Sequence, residues 1–273
     1  MVHELPSPPK PTVVVIPGAA CPSAHFYQPL CDVLSNTYNY TASTDDLPSA
    51  SRAPPQTPGT LEDDVGVFHA KIAALVENGE DVVVVVHSYG GMVATDAVQG
   101  LARSERQSRG LKGGVVRIVY LTCIVAGVGE TAGEVCERGG LKFKMESVGE
   151  NGEYLTQMPG PISAQKVFSD LPLEEALLWQ SRQSLQSAIC YTGKCVYDAY
   201  RHIPITYIIC TQDEVLTPEF QEGRVEFLRK EAKELDVVRM ETGHCPNISA
   251  LEETARVIVG AIEKGISKRT TEV

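Results

Sequence analysis

The sequence contains no apolar run close to the roughly 20 residues that a membrane-spanning helix needs. Its first residues, MVHELPSPPKPT, also lack the apolar core of a secretory signal. Basic residues are in deficit, with 24 Lys and Arg against 35 Asp and Glu and a net charge of −11. We therefore expect a cytoplasmic protein without a membrane or nucleic-acid partner, because a chain of this charge is poorly suited to neutralising phosphates.

Paired-cysteine motifs are also missing. The eight cysteines are scattered, without a CxxC pair or the Cys/His spacing of a zinc site. We expect reduced, mostly buried thiols, no metal site and no cofactor.

What the sequence does contain is a regular alternation of strand-like and helix-like segments. Strands are predicted at residues 12–16, 38–43, 82–86, 115–125, 203–210 and 235–240. Helices are predicted at residues 26–34, 61–78, 91–101, 218–235 and 248–265. Thr60 is expected to cap the second helix, and Ser249 with Glu252 to form a capping box at the last. This order favours an α/β fold with a doubly wound, mainly parallel sheet and helices on both faces.

Two segments depart from that alternation. Residues 1–11 carry four prolines and are predicted to be a flexible tail. Residues 127–202 are glycine-rich and polar at first, then irregularly helical, which predicts an inserted, mostly helical cap. The α/β core is then formed by residues 12–126 and 203–268.

The stretch VVVVVHSYGG, residues 82–91, predicts a strand buried on both faces followed by a sharp turn with Ser88 at its tip. Functional groups gather at the carboxyl ends of parallel strands. Asp213 and His244 each follow a later strand, so we expect them to meet Ser88 there. Glu214 is the competing carboxylate. His87 is expected to pack on the opposite face of its strand.

Serine, histidine and aspartate in this order suit acyl transfer. A serine hydroxyl is a weak nucleophile until an imidazole accepts its proton, and a carboxylate fixes that imidazole's tautomer. The backbone N–H groups of Ala19 and Tyr89 are placed to hold an oxyanion. For substrate binding the sequence offers His25 in the first loop and Trp179 in the predicted cap.

The segments IPGAAC, VHSYGG, IICTQDEVLTPEFQ and ETGHCPN resemble those of α/β-hydrolases, most closely the small plant methylesterases and hydroxynitrile lyases and their microbial relatives. The likeness spans about residues 12–265. It implies the α/β-hydrolase fold, a triad of Ser88, Asp213 and His244, an oxyanion hole from Ala19 and Tyr89, and a cap over the pocket. Val86 stands where the family usually has glycine before the serine, and Pro17 where it usually has histidine.

The same resemblance separates two chemistries. Hydroxynitrile lyases of this branch have a threonine where this chain has Gly18, and a lysine directly after the catalytic histidine where it has Cys245. Gly18 thus remains only as a candidate substrate contact, and hydrolysis is favoured over cyanide chemistry.

We therefore expect a cofactor-free serine hydrolase that cleaves an ester, thioester or lactone of a small-to-medium apolar molecule through an acyl-enzyme. Two alternatives stay open. One is a lyase, cyclase or C–C bond hydrolase of the same fold acting on a polyketide-like metabolite. The other is a ligand receptor built on this fold. The expected partner is a small-molecule substrate, with a homodimer possible.

Overall fold

The computed structural model describes residues 9–141 and 144–270, the last four without their side chains. Residues 1–8 of the predicted flexible tail lie outside these ranges. The strands are β1 (Thr12–Ile16), β2 (Ala42–Thr44), β3 (Asp81–Ser88), β4 (Gly114–Cys123), β5 (Met145–Val148), β6 (Tyr154–Gln157), β7 (Gln186–Ser187), β8 (Ile205–Cys210) and β9 (Leu235–Met240).

The described helices fall between these strands. They are α1 (Ser23–Phe26), α2 (Gln28–Asn36), α3 (Pro48–Ser51), α4 (Leu61–Glu77), α5 (Gly90–Ala97), α6 (Arg103–Ser108), α7 (Ala132–Arg138), α8 (Pro161–Val167), α9 (Leu173–Gln180), α10 (Pro218–Glu231), α11 (Pro246–Ser249) and α12 (Leu251–Thr270). Two short 3-10 helices, Ala188–Thr192 and Ala199–Arg201, precede β8. No described helix is both long enough and apolar enough to cross a membrane.

A six-stranded parallel sheet forms the centre of the molecule, in the order β2-β1-β3-β4-β8-β9. Parallel pairing requires a crossover after each strand, and the helices between the strands supply it. The valines of β3 and every residue of β4 are buried, as a sheet covered on both faces requires. The predicted doubly wound, mainly parallel sheet is confirmed.

Element boundaries were predicted with mixed accuracy. β1 and β9 occupy the predicted residues, whereas β2 begins later, at Ala42. Thr60 caps α4 and forms a capping box with Asp63. The capping box predicted at Ser249 is wrong, because Ser249 is the last residue of α11 and its hydroxyl donates to Asp170 at 2.6 Å.

The segment between β4 and β8 contains strands in addition to the helices expected of the cap. Besides α7, α8 and α9 it contains a three-stranded antiparallel sheet, in the order β5-β6-β7. Residues 145–148 are half-buried or exposed throughout, so no apolar alternation marks them as a strand. A turn that includes Gly149 and Gly152, both at positive φ, joins β5 to β6.

α5 packs unusually close to the sheet. A Cβ atom on Gly90 would lie 2.4 Å from the carbonyl oxygen of Pro17, and one on Gly91 would lie 2.4 Å from that of Ile124. Both distances are far below van der Waals contact, so only glycine fits at these two positions. This contact holds the start of α5 between the ends of β1 and β4, directly after Ser88.

Replacing Gly91 by alanine should therefore destabilise the fold by about 1–3 kcal/mol, since the added methyl group meets backbone that cannot rotate away. Gly66 is the matched control, because it is exposed in the middle of α4 with no atom within 4 Å of its ideal Cβ position. Gly66→Ala should stabilise the protein by roughly 0.5–1 kcal/mol. Urea unfolding measures both. A stabilising Gly91→Ala would contradict the close approach.

Candidate active site

Ser88 is the last residue of β3, and α5 begins two residues later. Its φ is +54°, in the left-handed region that residues with a Cβ rarely adopt. The turn is enforced by the close packing of α5, which leaves the chain no room for a wider connection. Ser88 is consequently presented at the carboxyl edge of the sheet, with 8% of its surface exposed.

The structure brings the three predicted side chains together. His244 Nε2 lies 3.0 Å from Ser88 Oγ, and His244 Nδ1 lies 2.7 Å from Asp213 Oδ2. A carboxylate only accepts, so Nδ1 carries the proton and Nε2 is free to accept from the serine hydroxyl. All three residues are buried, whereas the competing carboxylate, Glu214, is exposed.

The carboxylate of Asp213 is held by further donors. Its Oδ1 accepts from the backbone N–H groups of Val215 and Leu216, at 2.7 and 2.9 Å. Its Oδ2 accepts from the hydroxyl of Thr122 at 2.6 Å. Thr122 was not singled out from the sequence, although a hydroxyl at the carboxyl end of β4 was the available signal. Its φ of +40° marks another sterically restricted position beside the site.

Ala19 and Tyr89 line the same cavity as Ser88. In the described part of the chain, neither backbone N–H donates to a protein acceptor. Both donors are therefore free to bind an oxyanion. Gly18 is placed differently, because its N–H donates to the hydroxyl of Tyr27 at 2.8 Å and the residue does not line the cavity.

His87 was expected only to pack in the core, but both nitrogens of its ring form hydrogen bonds beside the site. Its Nε2 donates to the carbonyl oxygen of His244 at 2.7 Å, and its Nδ1 accepts from the Tyr27 hydroxyl at 2.7 Å. Burial lowers the pKa of the His87 imidazole to about 3, so the ring stays neutral. His87 lines the cavity but is fully engaged, and it holds the backbone of His244 in place.

The inserted segment also supports the histidine loop. Asp170 Oδ2 accepts from the backbone N–H of Gly243 at 2.8 Å, next to His244. The hydroxyl of Ser169 donates to the carbonyl oxygen of Gln212 at 2.7 Å, next to Asp213. The sequence carried no signal for these contacts, because they join segments more than 40 positions apart.

The cavity beside Ser88 has a volume of about 250 Å³ and is mostly apolar. Its aliphatic walls include Ile124, Leu141, Leu155, Val167, Val215 and Leu216. Two glutamines, Gln157 and Gln183, also line it, and each has a buried side-chain oxygen without a hydrogen-bond partner. Cys245 lines it as well, and burial raises the pKa of its thiol well above the usual value, so it is a neutral group there.

Two expected substrate contacts are not brought to this cavity. His25 is exposed on α1. Trp179 is half-buried on α9, where its ring packs edge-on against Phe26 at 5.4 Å and under the guanidinium of Arg182 at 4.4 Å. The sequence could not show which face of α9 points inward, because α9 has only one buried residue, Ala176.

The described residues contain neither a disulfide nor a cluster of metal ligands. All eight cysteines are free, seven of them buried. Across residues 9–141 and 144–270, no three His, Cys, Asp or Glu side chains lie together as metal ligands would.

Comparison with known proteins agrees with this architecture. A family model described as the alpha/beta hydrolase family matches residues 13–257. A probable hydrolase from a Phoma species is 30% identical over 252 residues, which cover 91% of this chain and 97% of the relative.

Solved structures share the fold at lower identity. Polyneuridine aldehyde esterase gives a TM-score of 0.71 at 17% identity, covering 93% of this chain and 99% of that chain. Tomato methylketone synthase I, solved with 2-tridecanone, gives a TM-score of 0.71 at 16% identity, covering 94% and 99%. From the family match and the 30% identical relative, the chain belongs to the α/β-hydrolase family and is a hydrolase.

Proposed function

We propose that the protein cleaves an ester, thioester or lactone of a small-to-medium apolar molecule, with Ser88 as nucleophile. The observation that carries the proposal is the continuous hydrogen-bond chain from Asp213 through His244 to Ser88, which ends in an apolar cavity. The direction of each bond is set by the carboxylate, which can only accept.

The first half of the reaction forms an acyl-enzyme. Ser88 Oγ attacks the substrate carbonyl carbon while His244 Nε2 takes the hydroxyl proton. The carbonyl electron pair moves to oxygen, where the N–H groups of Ala19 and Tyr89 stabilise the charge. Collapse of this intermediate breaks the bond to the leaving oxygen or sulfur, which receives the proton from His244.

The second half releases the acid. Water enters, gives a proton to His244 Nε2 and attacks the acyl carbon. Collapse returns the proton to Ser88 Oγ and frees the carboxylic acid. In both halves Asp213 stays ionised and favours the cationic form of His244. No cofactor takes part in these steps.

The cavity limits the substrate. Its volume of about 250 Å³ lies just below the range of about 300–1,000 Å³ that is typical of small-molecule sites, and its walls are mostly aliphatic. The unpartnered oxygens of Gln157 and Gln183 favour a substrate that also carries a hydrogen-bond donor, such as a hydroxyl group. We therefore propose a hydroxylated apolar acyl compound.

Ser88→Ala should lower kcat for short p-nitrophenyl esters by at least about 10³-fold, because the acyl-enzyme can no longer form. Circular dichroism and thermal unfolding check that the fold is retained. Turnover at the parent rate would overturn the proposal. Failure of a fluorophosphonate to label Ser88 in the parent protein would instead favour an unreactive ligand-binding pocket.

Asp213→Asn should lower kcat by about 10⁴-fold, because an amide in place of Oδ2 donates to Nδ1 and reverses the histidine tautomer. Glu214→Gln is the matched control, since that neighbouring carboxylate is exposed, and its kcat should be unchanged. Equal losses in the two variants would argue that general charge near the pocket matters rather than this hydrogen bond.

Gln183→Leu should lower kcat/KM for hydroxylated esters by about 2–10-fold, which corresponds to one lost hydrogen bond. The ester of the same carbon skeleton without the hydroxyl group is the internal control and should react at the parent rate. An equal loss for both esters would mean that Gln183 shapes the cavity without recognising a donor.

A further inference from the structure

A second buried carboxylate, Asp64, lies on α4 behind the site. Its Oδ1 accepts from the backbone N–H of Ser49 at 2.8 Å, and its Oδ2 accepts from the Ser49 hydroxyl at 2.6 Å. The phenolic O–H of Tyr89 donates to the same Oδ2 at 3.0 Å. Tyr89 is one of the two proposed oxyanion donors, so one arm of this network ends at the oxyanion hole.

The other arm of the network ends at Ala20, the residue that follows the second proposed oxyanion donor, Ala19. Gln186 Nε2 donates to Ser49 Oγ at 2.8 Å, and Gln186 Oε1 accepts from the backbone N–H of Ala20 at 2.8 Å. Ala20 directly follows Ala19. Its carbonyl oxygen also accepts from the backbone N–H of Ser184 at 3.0 Å. Both polar groups of the Ala20 backbone are therefore fixed by the segment at β7.

Each hydrogen bond in the network has a determined direction. Asp64 can only accept when ionised, so Tyr89 and the Ser49 hydroxyl must donate to it. The Ser49 oxygen then accepts from Gln186, whose other amide end is left to accept from Ala20. Each group donates to the next in the order Ala20, Gln186, Ser49 and Asp64, and Tyr89 donates to Asp64 from the other side. With Asp64 ionised, no other arrangement of protons keeps all of these bonds.

Stability alone does not account for a carboxylate at this position. Asp64 is completely buried and forms no ion pair within the described residues. Burial raises the pKa of its carboxyl to about 6, so ionisation is less favourable than in water, and the three donors oppose that effect. An apolar side chain would avoid that penalty.

The backbone conformations point the same way. Ala20 has φ of +57° and Ser88 has φ of +54°, and both conformations are sterically costly for residues with a Cβ. Each of these residues is adjacent in sequence to one proposed oxyanion donor, Ala19 or Tyr89. Each end of the network is therefore attached to, or lies next to, a residue in a restricted backbone conformation beside a proposed oxyanion donor.

We propose that Asp64 is a positioning residue for the oxyanion hole. Through Tyr89 on one side, and through Ser49 and Gln186 on the other, it fixes the separation and direction of the N–H groups of Ala19 and Tyr89. This inference rests on the proposed function. It makes oxyanion stabilisation dependent on a side chain that does not touch the substrate.

Asp64→Asn should lower kcat by about 10–100-fold and change KM by less than about threefold. Complete loss of one oxyanion donor lowers kcat by about 10²–10³-fold, and a misaligned donor should cost less than that. The asparagine amide would face the hydroxyls of Ser49 and Tyr89, and these would have to reverse. Inhibition by an arylboronic acid, which forms a tetrahedral adduct with serine, should weaken in parallel with kcat.

Asp96→Asn is the matched control. Asp96 is also a buried carboxylate with a raised pKa, caused by burial, and it accepts from the backbone N–H groups of Val196 and Tyr197. It does not line the cavity. We expect Asp96→Asn to change the thermal midpoint as much as Asp64→Asn while leaving kcat within about twofold. Equal kcat losses in the two variants would overturn the proposal.

Two milder variants keep the test decisive if Asp64→Asn fails to fold. Tyr89→Phe removes one hydroxyl, and Ser49→Ala breaks the arm toward Ala20. Each should lower kcat and weaken arylboronic acid binding, and the double variant should lose less than the product of the two single effects. Independent, multiplicative losses, or unchanged kcat, would contradict a network that acts as one unit.

The parent protein and Ser88→Ala are measured alongside. If Ser88→Ala kept its activity, the proposed function itself would be wrong. If only Ser88→Ala lost activity while the network variants kept theirs, the proposed function would stand and the role of Asp64 would be rejected.

Discussion

The close contact between α5 and the sheet is the constraint on which the site depends. Gly90 and Gly91 allow the backbone of α5 to approach the ends of β1 and β4 at distances that no other residue permits. The chain must then reverse sharply at Ser88, whose positive φ reflects that requirement. Val86 stands where the family usually has glycine, but it does not relax the turn. The close approach of α5 to the sheet occurs at Gly90 and Gly91, which follow the serine.

Above this turn, polar groups are organised around two buried carboxylates. Asp213 orients His244 and, through it, Ser88. Asp64 orients Tyr89 and, through Ser49 and Gln186, the Ala20 backbone. Because a carboxylate only accepts, each one sets the direction of every hydrogen bond that leads to it. The proposed nucleophile and the proposed oxyanion donors are thus aligned by separate networks that meet at the Ser88–Tyr89 peptide.

Local patterns were enough to predict the core and the meeting of Ser88 and His244 with a carboxylate, and the family resemblance selected Asp213 over Glu214. Long β-branched runs mark buried strands, and parallel strands bring their carboxyl ends to one edge. The cap sheet was missed because its strands are short and lack alternation. In the sequence, Asp64 is one of three acids in the first turn of α4, where the helix dipole favours carboxylates in general. Its contacts with Ser49 and Tyr89 depend on tertiary packing, which spacing in the sequence does not encode.

The inserted segment is part of the site and does more than cover it. Gln186 and Ser184 bind the Ala20 backbone, and Asp170 binds the loop before His244. A cap that swung away as a rigid lid would break all of these bonds and misalign the proposed catalytic groups. Substrate entry is therefore expected where the cap is not bonded to the core. Gln157 meets that condition, since no hydrogen bond joins its side chain to the described core and it lines both the inner cavity and an outer groove on the cap surface. Movement of this side chain would open the cavity while the triad and the proposed oxyanion donors stayed in place.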